Sequence, residues 1–472
     1  MAKVVIIGAG ISGLTLAWKL QQSDADVTVF EKERHAGGTM QTVHDGEWLI
    51  ESGPNSALET TPLFQELFMS LGIRDRMRYA DGAADKRYIL REGRLHALPM
   101  SPGAFLATSL WTTRAKIRLM KEPFIGQARE DESVAAFVVR RLGSEFLDYA
   151  INPFVAGVYA GNPEQLSVRS AFPKLFALEQ EYGGLVKGMI KGRKERKSRA
   201  EKAKDRAKMF SFAGGMAEFP EAIAHRLGER LILQARVTAL TRREGEFREP
   251  RSRFAVSYEV NGVLSSMEAD AVILSLPAYS ASGIVRGLSS TLPEVLNGVS
   301  YPPVAEVFLG YRADRVGIPL DGFGFLVPAV EGRKILGTIW SSVLFEGRAP
   351  KGHVALTTFL GGARQPGLAS RDDKDLLALV GNELRDIMSI SGDPAYVAIN
   401  RWEKSIPQYN LGYDAILLAL EKCERENPGL FFCSNFRGGI AVGDCVMSAE
   451  KTAAGVLGFL NKKTTIHQTA IA

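Results

Sequence analysis

The sequence predicts an α/β fold (α+β overall) that combines a parallel sheet flanked by helices, a second mixed sheet and a helical insertion. Three observations lead to this prediction. A glycine-rich turn follows a short apolar run near residue 8, helical patterns with few strand signals fill about 98–208, and alternating apolar runs recur between about 290 and 400. A chain of 472 residues is too long to fold around a single hydrophobic core, so two or three domains are expected.

The first element is a βαβ unit around a glycine turn. Residues 4–7 form an apolar run, residues 8–13 read Gly-Ala-Gly-Ile-Ser-Gly, and a second apolar run at 27–30 ends at Glu31. The first glycine permits the tight turn, the second lets backbone amides approach a pyrophosphate, and the third lets the helix lie close to the strand. Glu31 lies where a carboxylate bonds a ribose hydroxyl pair, which favours an adenine dinucleotide without a 2'-phosphate. The unit therefore predicts a Rossmann-like cofactor domain.

The residues after Glu31 discriminate between FAD and NAD. Gly37, Gly38 and Thr39 add a second glycine pair beyond the ribose-binding acid, and this pattern resembles the extended FAD signature of the amine oxidase superfamily. That superfamily commonly has arginine four residues after the acid, where this chain has His35 and carries Arg34 one place earlier. The signature implies FAD as the cofactor.

Composition and charge exclude several classes of protein. Apolar residues make up 46% and charged residues 24% of the chain, as in soluble globular proteins, and the net charge of +5 is too small to indicate nucleic-acid binding. The cysteines Cys423, Cys433 and Cys445 have neither an even count nor a CxxC spacing, so we expect free thiols in a reducing compartment. Met1 leads almost directly into the first apolar run, and no apolar run reaches the roughly 18 residues that cross a bilayer. We therefore predict a cytoplasmic protein, with peripheral contact to the inner face of the membrane as an alternative.

The predicted insertion contains a helical pattern at 133–142, an apolar, turn-rich segment at 152–161 and a strongly basic segment at 187–208. The basic segment holds eleven Lys or Arg residues against three acids. Charge runs of this kind are usually solvated helices or loops. Alternatively, each basic residue near an anionic bilayer contributes about 1 kcal/mol of attraction. The segment is therefore either a solvated surface or a membrane-binding one.

The C-terminal part repeats the order of strand, glycines and helix. A buried run at 430–433 precedes Gly438 and Gly439, and a helix is predicted from about 442 to 460 with Asp444 in its first turn. The N-terminal end of a helix carries positive potential, so we expect this one to face the part of the flavin ring that gains negative charge on reduction. The alternative is an ordinary helix that closes the domain.

Several segments together resemble the protoporphyrinogen oxidase family of FAD enzymes. These segments are 51–56, 152–161 with 166–167, 211–216, 322–328, 336–342 with 345–350, and 406–409. The resemblance implies that three two-electron flavin cycles remove six hydrogens from a porphyrinogen in haem or chlorophyll biosynthesis, while O2 reoxidises the flavin and gives hydrogen peroxide. The predicted domain plan has an FAD-binding domain at 1–85, 209–290 and 401–472, a helical insertion at 86–208 that is a candidate membrane-binding domain, and a substrate-binding domain at 291–400.

The resemblance also implies which residues surround the substrate. Leu326 and Ile339 would pack on one face of a pyrrole ring and Phe359 on the other. Arg87 would bond a substrate propionate, because a planar guanidinium suits a carboxylate. The residues that would border the reacting ring are Asn55, Ala156 and Gly157. Without the resemblance, the apolar residues are ordinary core and Arg87 is one member of a surface ion pair.

The expected cofactor contacts combine the glycine motif with the resemblance. They are Gly8, Gly10, Ile11, Ser12, Gly13, Glu31, Lys32, Gly37, Gly38, Thr39, Gly53, Pro54, Asn55, Val237, Trp402, Asn435, Val442, Gly443 and Asp444. We expect no metal site and name no general acid or base, because the six histidines lack metal-ligand and catalytic-triad spacing. In this scheme pyrrole N–H protons leave to solvent, and the protein mainly binds and orients the reactants.

Three other functions stay open from the sequence. The first is oxidation of coproporphyrinogen III to coproporphyrin III, whose four propionates would call for more basic residues in the pocket. The second is a flavin amine oxidase or carotenoid desaturase on the same architecture. A neutral polyene has no carboxylate, however, and would not need a cation such as Arg87 to bind one. The third is a non-catalytic FAD-binding module. The expected partners are a small-molecule porphyrinogen and O2, without nucleic acid, and a homodimer is compatible with the sequence.

Overall fold

A computed structural model describes residues 1–191, 207–243 and 253–469 of the chain. The strands are, in chain order, β1 (Ala2–Ile7), β2 (Ala25–Phe30), β3 (Thr42–Asp45), β4 (Trp48–Glu51), β5 (Ala57–Leu58), β6 (Met77–Tyr79), β7 (Tyr88–Arg91), β8 (Arg94–Ala97), β9 (Met209–Phe212), β10 (Leu231–Ile232), β11 (Ala235–Arg242), β12 (Phe254–Val260), β13 (Val263–Ala269), β14 (Ala271–Leu274), β15 (Val304–Arg312), β16 (Gly324–Leu326), β17 (Ile335–Ile339), β18 (His353–Gly361), β19 (Tyr396–Trp402) and β20 (Leu430–Phe432).

Eight of the α-helices that the structure describes lie in the segment from 102 to 191. The α-helices are, in chain order, α1 (Ile11–Leu20), α2 (Leu63–Leu71), α3 (Pro102–Ala107), α4 (Thr113–Leu119), α5 (Val134–Arg141), α6 (Ser144–Phe146), α7 (Asn152–Tyr159), α8 (Val168–Ala171), α9 (Pro173–Tyr182), α10 (Leu185–Lys191), α11 (Glu218–Leu227), α12 (Ala278–Ile284), α13 (Leu292–Asn297), α14 (Ser341–Leu344), α15 (Asp373–Met388), α16 (Tyr413–Glu426), α17 (Asn435–Gly438) and α18 (Val442–Thr469).

A five-stranded parallel sheet forms the predicted Rossmann-like domain. Its order is β10-β2-β1-β14-β20, with Ile7 paired to both Phe30 and Leu274. Both faces are covered: Val4 and Ile6 pack in the core with α1, α11 and α18, whereas the alternate residues of β1 face the opposite core. A parallel sheet buried on both faces explains why these strands read as continuous apolar runs. The predicted fold class is confirmed.

The mixed sheet has seven strands in the order β19-β15-β18-β17-β16-β7-β8. All neighbouring strands are antiparallel except β16 and β7. One face packs on α15, where Ala305, Val307 and Leu309 share a buried cluster with residues of that helix. Because side chains alternate along a strand, the residues between them point to the other face, which lies toward α7. That second face carries the candidate site.

The hairpin of β7 and β8 corrects the predicted start of the helical insertion at residue 86. Residues 88–97 belong to the mixed sheet, with Tyr88 paired to Phe325 and to Ala97. Glu92 and Gly93 connect the two strands with φ angles of 52° and 72°, and a two-residue turn with both φ positive suits a tight hairpin. The helical part of the insertion therefore begins only after residue 97.

The segment at 152–161 also differs from the prediction, because residues 152–159 form α7 instead of turns. Pro153 lies at the start of this helix, where its missing N–H is tolerated. The predicted helix at 133–142 is confirmed as α5, and Ser133 accepts a hydrogen bond from the Ala136 N–H. Most of the basic segment at 187–208 lies outside the described residues.

Two further predictions concern the cysteines and the membrane. Cys423, Cys433 and Cys445 are all free and buried, as predicted. Among the helices that the structure describes, none combines the length and the apolar character that crossing a bilayer requires.

Candidate active site

The first glycine turn has the geometry that its spacing predicts. Gly8 has a φ of +105°, and a Cβ there would lie 2.3 Å from the Ser275 carbonyl oxygen. A Cβ on Gly13 would lie 2.1 Å from the Gly8 carbonyl oxygen, so the helix can approach the strand only with glycine at this position. In contrast, a Cβ on Gly10 would meet no heavy atom within 4 Å. The first and third glycines are therefore required by packing, and the second leaves space at the start of α1.

The second glycine pair lies directly across the first. The Gly37 N–H donates to the Ala9 carbonyl at 2.8 Å, and a Cβ on Gly38 would lie 3.3 Å from the Gly10 Cα. A Cβ on Gly53 would lie 2.0 Å from the Thr39 carbonyl oxygen. Three chain segments that are distant in sequence thus meet with their backbones in close contact. A Cβ at Gly10 would fill the space that a pyrophosphate needs against this cradle, so the residues fit an adenine dinucleotide.

Glu31 lies at the carboxyl end of β2, and its side chain is fixed by backbone amides. One carboxylate oxygen accepts from the Ala9 N–H at 2.8 Å and the other from the Glu33 N–H at 3.0 Å. The Glu31 carbonyl accepts from the Ala235 N–H, so the start of β11, with the buried Val237, lies beside the acid. The carboxylate is held next to the glycine turn, in the position predicted for ribose binding. Lys32 is exposed and its ammonium group lies 3.3 Å from Glu33.

The C-terminal segment completes the cradle. A Cβ on Gly443 would lie 2.5 Å from the Thr60 hydroxyl oxygen and 3.7 Å from the Leu58 carbonyl oxygen, so the first turn of α18 packs closely against residues 58–60. The Asp444 carboxylate accepts from the Ala441 N–H at 3.3 Å and therefore caps its own helix. The Asn435 carbonyl accepts a hydrogen bond from the Tyr409 hydroxyl. These contacts bring the predicted C-terminal residues to the parallel sheet, whereas Trp402 ends β19 in the mixed sheet.

The residues predicted to contact substrate share one face of the mixed sheet. Gly337 pairs with Leu326 on one side and with Phe359 on the other, and Ile339 pairs with Gly324. Leu326, Ile339 and Phe359 are half-buried, while Phe325 and Leu360 on the opposite face are buried against α15. Because Gly337 has no side chain, Leu326 and Phe359 face each other across two strand spacings, or about 10 Å. A Cβ on Gly337 would lie 3.1 Å from a Leu326 methyl group, so the Leu326 side chain extends over this glycine.

Helix α7 covers this face. Ala156 is buried in a cluster with Val304, Leu336 and Phe359. A Cβ on Gly157 would lie 2.5 Å from a Leu326 methyl group, so glycine is needed for α7 to approach the sheet. Asn55 lies at the other end of the face, where its side-chain amide donates to the Gly53 carbonyl at 3.1 Å. The structure therefore brings Asn55, Ala156 and Gly157 to the same face as the three apolar residues.

Two guanidinium groups flank the strand that carries Leu326. Arg87 is exposed and lies over the Phe323 ring at 5.7 Å, at the start of β16. Arg364 lies at the other end, where it donates to the Asn152 side-chain oxygen at 2.9 Å and to the Val327 carbonyl at 3.2 Å. The carboxylate of Asp85 raises the pKa of Arg87 against the effect of burial, whereas no charged group among the described residues acts on Arg364 in this way.

Sequence reasoning missed Arg364, although its position two residues after the glycine pair at 361–362, where β18 ends, was a usable signal. Burial lowers the pKa of Arg364 to about 10. A half-buried cation with only neutral partners is costly unless an anion joins it. Arg364 therefore indicates a site for an anionic group.

Sequence reasoning also missed two buried carboxyl groups, those of Glu51 and Glu306. Burial raises the pKa of Glu51 to about 7, and the nearby Arg348 opposes this shift. Glu51 also accepts from the Thr42 hydroxyl at 2.6 Å and the Met216 N–H at 3.0 Å, so both of its oxygens have partners. A charged residue within the apolar run 304–311 was the available signal for Glu306.

In the part of the chain that the structure describes, no group of three or more His, Cys, Asp or Glu residues could hold a metal ion.

Comparison with known proteins gives consistent results. The model of the flavin-containing amine oxidoreductase family matches residues 11–457. Mitochondrial protoporphyrinogen oxidase of Nicotiana tabacum is 34% identical over 486 residues, covering 98% of this chain and 96% of the relative. Coproporphyrinogen III oxidase of Bacillus subtilis is 28% identical over 480 residues, covering 97% and 98%. A crystal structure of a provisionally assigned protoporphyrinogen oxidase from Exiguobacterium sp. 255-15 has a TM-score of 0.79 at 23% identity, covering 96% of this chain and 98% of that one.

Proposed function

The chain belongs to the family of flavin-containing amine oxidoreductases, and from this premise we propose that it is an FAD-dependent enzyme that oxidises protoporphyrinogen IX to protoporphyrin IX with O2. The observation that carries the proposal is the second face of the mixed sheet. Leu326 and Phe359 lie on this face on either side of Gly337, and the guanidinium groups of Arg87 and Arg364 lie near the two ends of the strand that carries Leu326. An apolar slot with charged clamps suits a tetrapyrrole that carries propionates.

Each part of the site has a separate task in this proposal. FAD supplies the capacity to accept two electrons and one hydrogen. The glycine turns around Gly10 hold its phosphates, and Glu31 orients its ribose. Leu326 and Phe359 position the reacting ring, and α7 excludes water through the close contact at Gly157. The clamps fix the orientation of the substrate through its carboxylates.

The number of clamps bears on the choice between the two porphyrinogens. Protoporphyrinogen IX carries two propionates and coproporphyrinogen III carries four. The two guanidinium groups of Arg87 and Arg364 match the two propionates of protoporphyrinogen IX, so we favour this substrate. Steady-state rates of the purified protein with both porphyrinogens, followed by porphyrin fluorescence in air, test this choice. A clear preference for the four-carboxylate substrate would overturn it, and no porphyrin from either would overturn the oxidase proposal.

Replacement of either clamp is expected to weaken substrate binding more than it slows the chemical step. Arg87→Ala and Arg364→Gln each remove a charge-assisted hydrogen bond worth about 1.5–3 kcal/mol, so kcat/KM should fall about 10- to 100-fold, mostly through KM. The measurement is initial rate against porphyrinogen concentration. The matched control is Arg312→Ala, because Arg312 is exposed and its charge is already paired with Asp314. An unchanged KM in both clamp variants would contradict the assignment.

We also propose that the protein acts in the cytoplasm and binds anionic membranes through the helical insertion. Membrane-binding surfaces typically expose large apolar side chains. The insertion exposes seven of them: Met100, Leu106, Ile117, Met120, Phe124, Met189 and Ile190. Basic residues lie near them in the sequence, and Met189 and Ile190 belong to the basic segment 187–208. We also propose the domain plan in which three segments of the chain form the cofactor domain and the helical insertion starts after residue 97.

Flotation with vesicles tests the membrane proposal. We expect the protein to float with anionic vesicles at low salt and to be released as the ionic strength rises, since each basic residue near the surface contributes about 1 kcal/mol. Phe124→Glu should reduce binding because it places a charge at an exposed apolar tip. Equal absence from anionic and neutral vesicles would remove the proposal.

A further inference from the structure

Glu306 lies in the middle of β15, on the face of the mixed sheet that carries the predicted substrate contacts. It pairs directly with Phe359 on one neighbouring strand and with Asn400 on the other. Directly opposite residues in adjacent strands have Cβ atoms about 5 Å apart and point to the same face. The Glu306 carboxyl group therefore lies beside the Phe359 ring.

The neighbours of Glu306 along β15 show what lies on either side of it. Val304 packs with Ala156 and Phe359 under α7. Phe308 packs with Ile50, next to the segment that leads to Gly53. Since residues two apart in a strand share a face, Glu306 lies between these two groups. It is located where the predicted substrate contacts meet the predicted cofactor contacts.

The Glu306 carboxyl group is buried without full hydrogen bonding. Its residue is 6% exposed, and within the described residues one carboxyl oxygen, Oε2, has no hydrogen-bond partner. Leaving a buried polar atom unpaired costs about 1–3 kcal/mol, so such an atom in a native structure calls for an explanation. A ligand group that bonds to the free oxygen provides one.

The charges around Glu306 determine how firmly it holds a proton. Burial raises its pKa to about 8, and the side chains of Asn400 and Trp402 partly oppose this. The Glu51 carboxyl group raises the pKa further, and the Gly53 backbone lowers it. Behind Glu51 lies the Arg348 guanidinium, 3.5 Å from that carboxylate. The group is therefore mostly protonated at neutral pH and ionises just above it.

We propose that Glu306 accepts the proton that a pyrrole N–H of the porphyrinogen releases during oxidation. The inference rests on the proposed function and replaces the earlier expectation that this proton leaves directly to solvent. As the substrate C–H bond breaks, its two electrons and one hydrogen pass to the flavin, and the N–H proton passes to Glu306. When O2 takes the two electrons and that hydrogen, Glu306 returns its proton and hydrogen peroxide forms. Substrate loses two hydrogens and oxygen gains two in each cycle, so the carboxylate is regenerated.

Glu306 is better suited to this task than Glu51. Both oxygens of Glu51 are already hydrogen bonded to Thr42 and Met216. A general base is also most effective when its pKa lies near the working pH, which the surroundings of Glu306 provide.

Anaerobic mixing of the flavin-loaded protein with protoporphyrinogen tests the proposal. In the wild type, the rate constant of flavin reduction should rise about tenfold per pH unit below about pH 8 and level off above it, because only the ionised carboxylate accepts a proton. Glu306→Gln should reduce the rate constant about 100-fold or more and abolish the pH dependence. Glu306→Asp keeps the charge but moves it back by one methylene, so it should react slowly and keep the pH dependence. The matched control, Glu383→Gln, removes a buried carboxyl on the opposite face of the sheet and should keep the wild-type profile.

An infrared titration without substrate separates this proposal from the proposed function. One carbonyl band of a protonated carboxyl group should disappear as the pH rises through about 8 in the wild type and should be absent from Glu306→Gln, which should keep only the Glu51 band that titrates at about pH 7. Equal rate constants in wild type and Glu306→Gln at every pH, with porphyrinogen oxidised by both, would overturn the role of Glu306 alone. If the wild type leaves porphyrinogen unoxidised while the band still titrates near pH 8, the proposed function fails and the protonation of Glu306 stands. If Glu306→Gln does not fold, a flat pH profile in wild type and Glu306→Asp would still overturn the proposal.

Discussion

Gly10→Leu should fold normally and fail to bind FAD. A Cβ at this position meets no heavy atom within 4 Å in the protein, and the backbone φ of −70° suits any residue. The leucine would instead occupy the space at the start of α1 that the pyrophosphate needs. We expect at least about a 100-fold loss of flavin affinity, which corresponds to about 3 kcal/mol. The measurement is visible absorbance of the purified protein after reconstitution with FAD, with thermal unfolding of the apoprotein as the test of folding.

Two other glycine substitutions serve as controls for this prediction. Gly283→Ala lies in α12, where the new Cβ also meets no atom within 4 Å, so flavin content should stay at the wild-type level. Gly13→Val should lose both flavin and stability, because its Cβ would lie 2.1 Å from a backbone oxygen. Full flavin content in Gly10→Leu would refute the phosphate-binding assignment.

Arg141→Ala should be the most destabilising single substitution in the helical insertion. Arg141, Glu122 and Glu179 are all completely buried, and the guanidinium contacts the two carboxylates at 2.6 and 2.5 Å. Glu122 also accepts from the Leu185 and Val186 N–H groups. Removal of the arginine leaves the buried Glu122 carboxylate without a countercharge and leaves Glu179 with Arg140 alone, which costs about 3–5 kcal/mol. Urea denaturation, followed by a probe in the insertion, measures this loss.

Comparison with a surface pair separates burial from charge. Arg243→Ala breaks an exposed ion pair with Glu268, so the free energy of unfolding should change by less than about 1 kcal/mol. A triple variant that replaces Arg141, Glu122 and Glu179 with apolar residues of similar size should recover most of the stability. If Arg141→Ala costs no more than Arg243→Ala, the buried triad does not stabilise the insertion.

The sequence was informative where a structural requirement is local. Tight turns and close helix packing demand glycine at fixed spacings, so the packing roles of Gly8 and Gly13 could be predicted from the pattern at 8–13, while phosphate binding at Gly10 stays a prediction. Apolar runs likewise predicted β15, β17 and β18, because buried strands show their burial in composition. The hairpin at 88–97 was missed because its strands have only four residues each, too few for a clear periodicity.

The parts of the site that depend on distant neighbours were not accessible from the sequence. Arg364 is notable because no carboxylate lies near it among the described residues, and Glu306 because one of its oxygens has no partner. Both properties arise from the three-dimensional surroundings and leave no spacing in the chain. A charged residue within an apolar run, such as Glu306, is the nearest local sign of such a group.

The strand order of the parallel sheet has a consequence for synthesis on the ribosome. The edge of β14 is covered only by β20, which emerges about 160 residues later. At roughly 5–20 residues per second, the edge of β14 that does not pair with β1 stays unpaired for about 8–30 s, although all four residues of the strand are buried in the finished protein. Such an edge is a template for aggregation, so the nascent chain should need a chaperone until its last strand arrives.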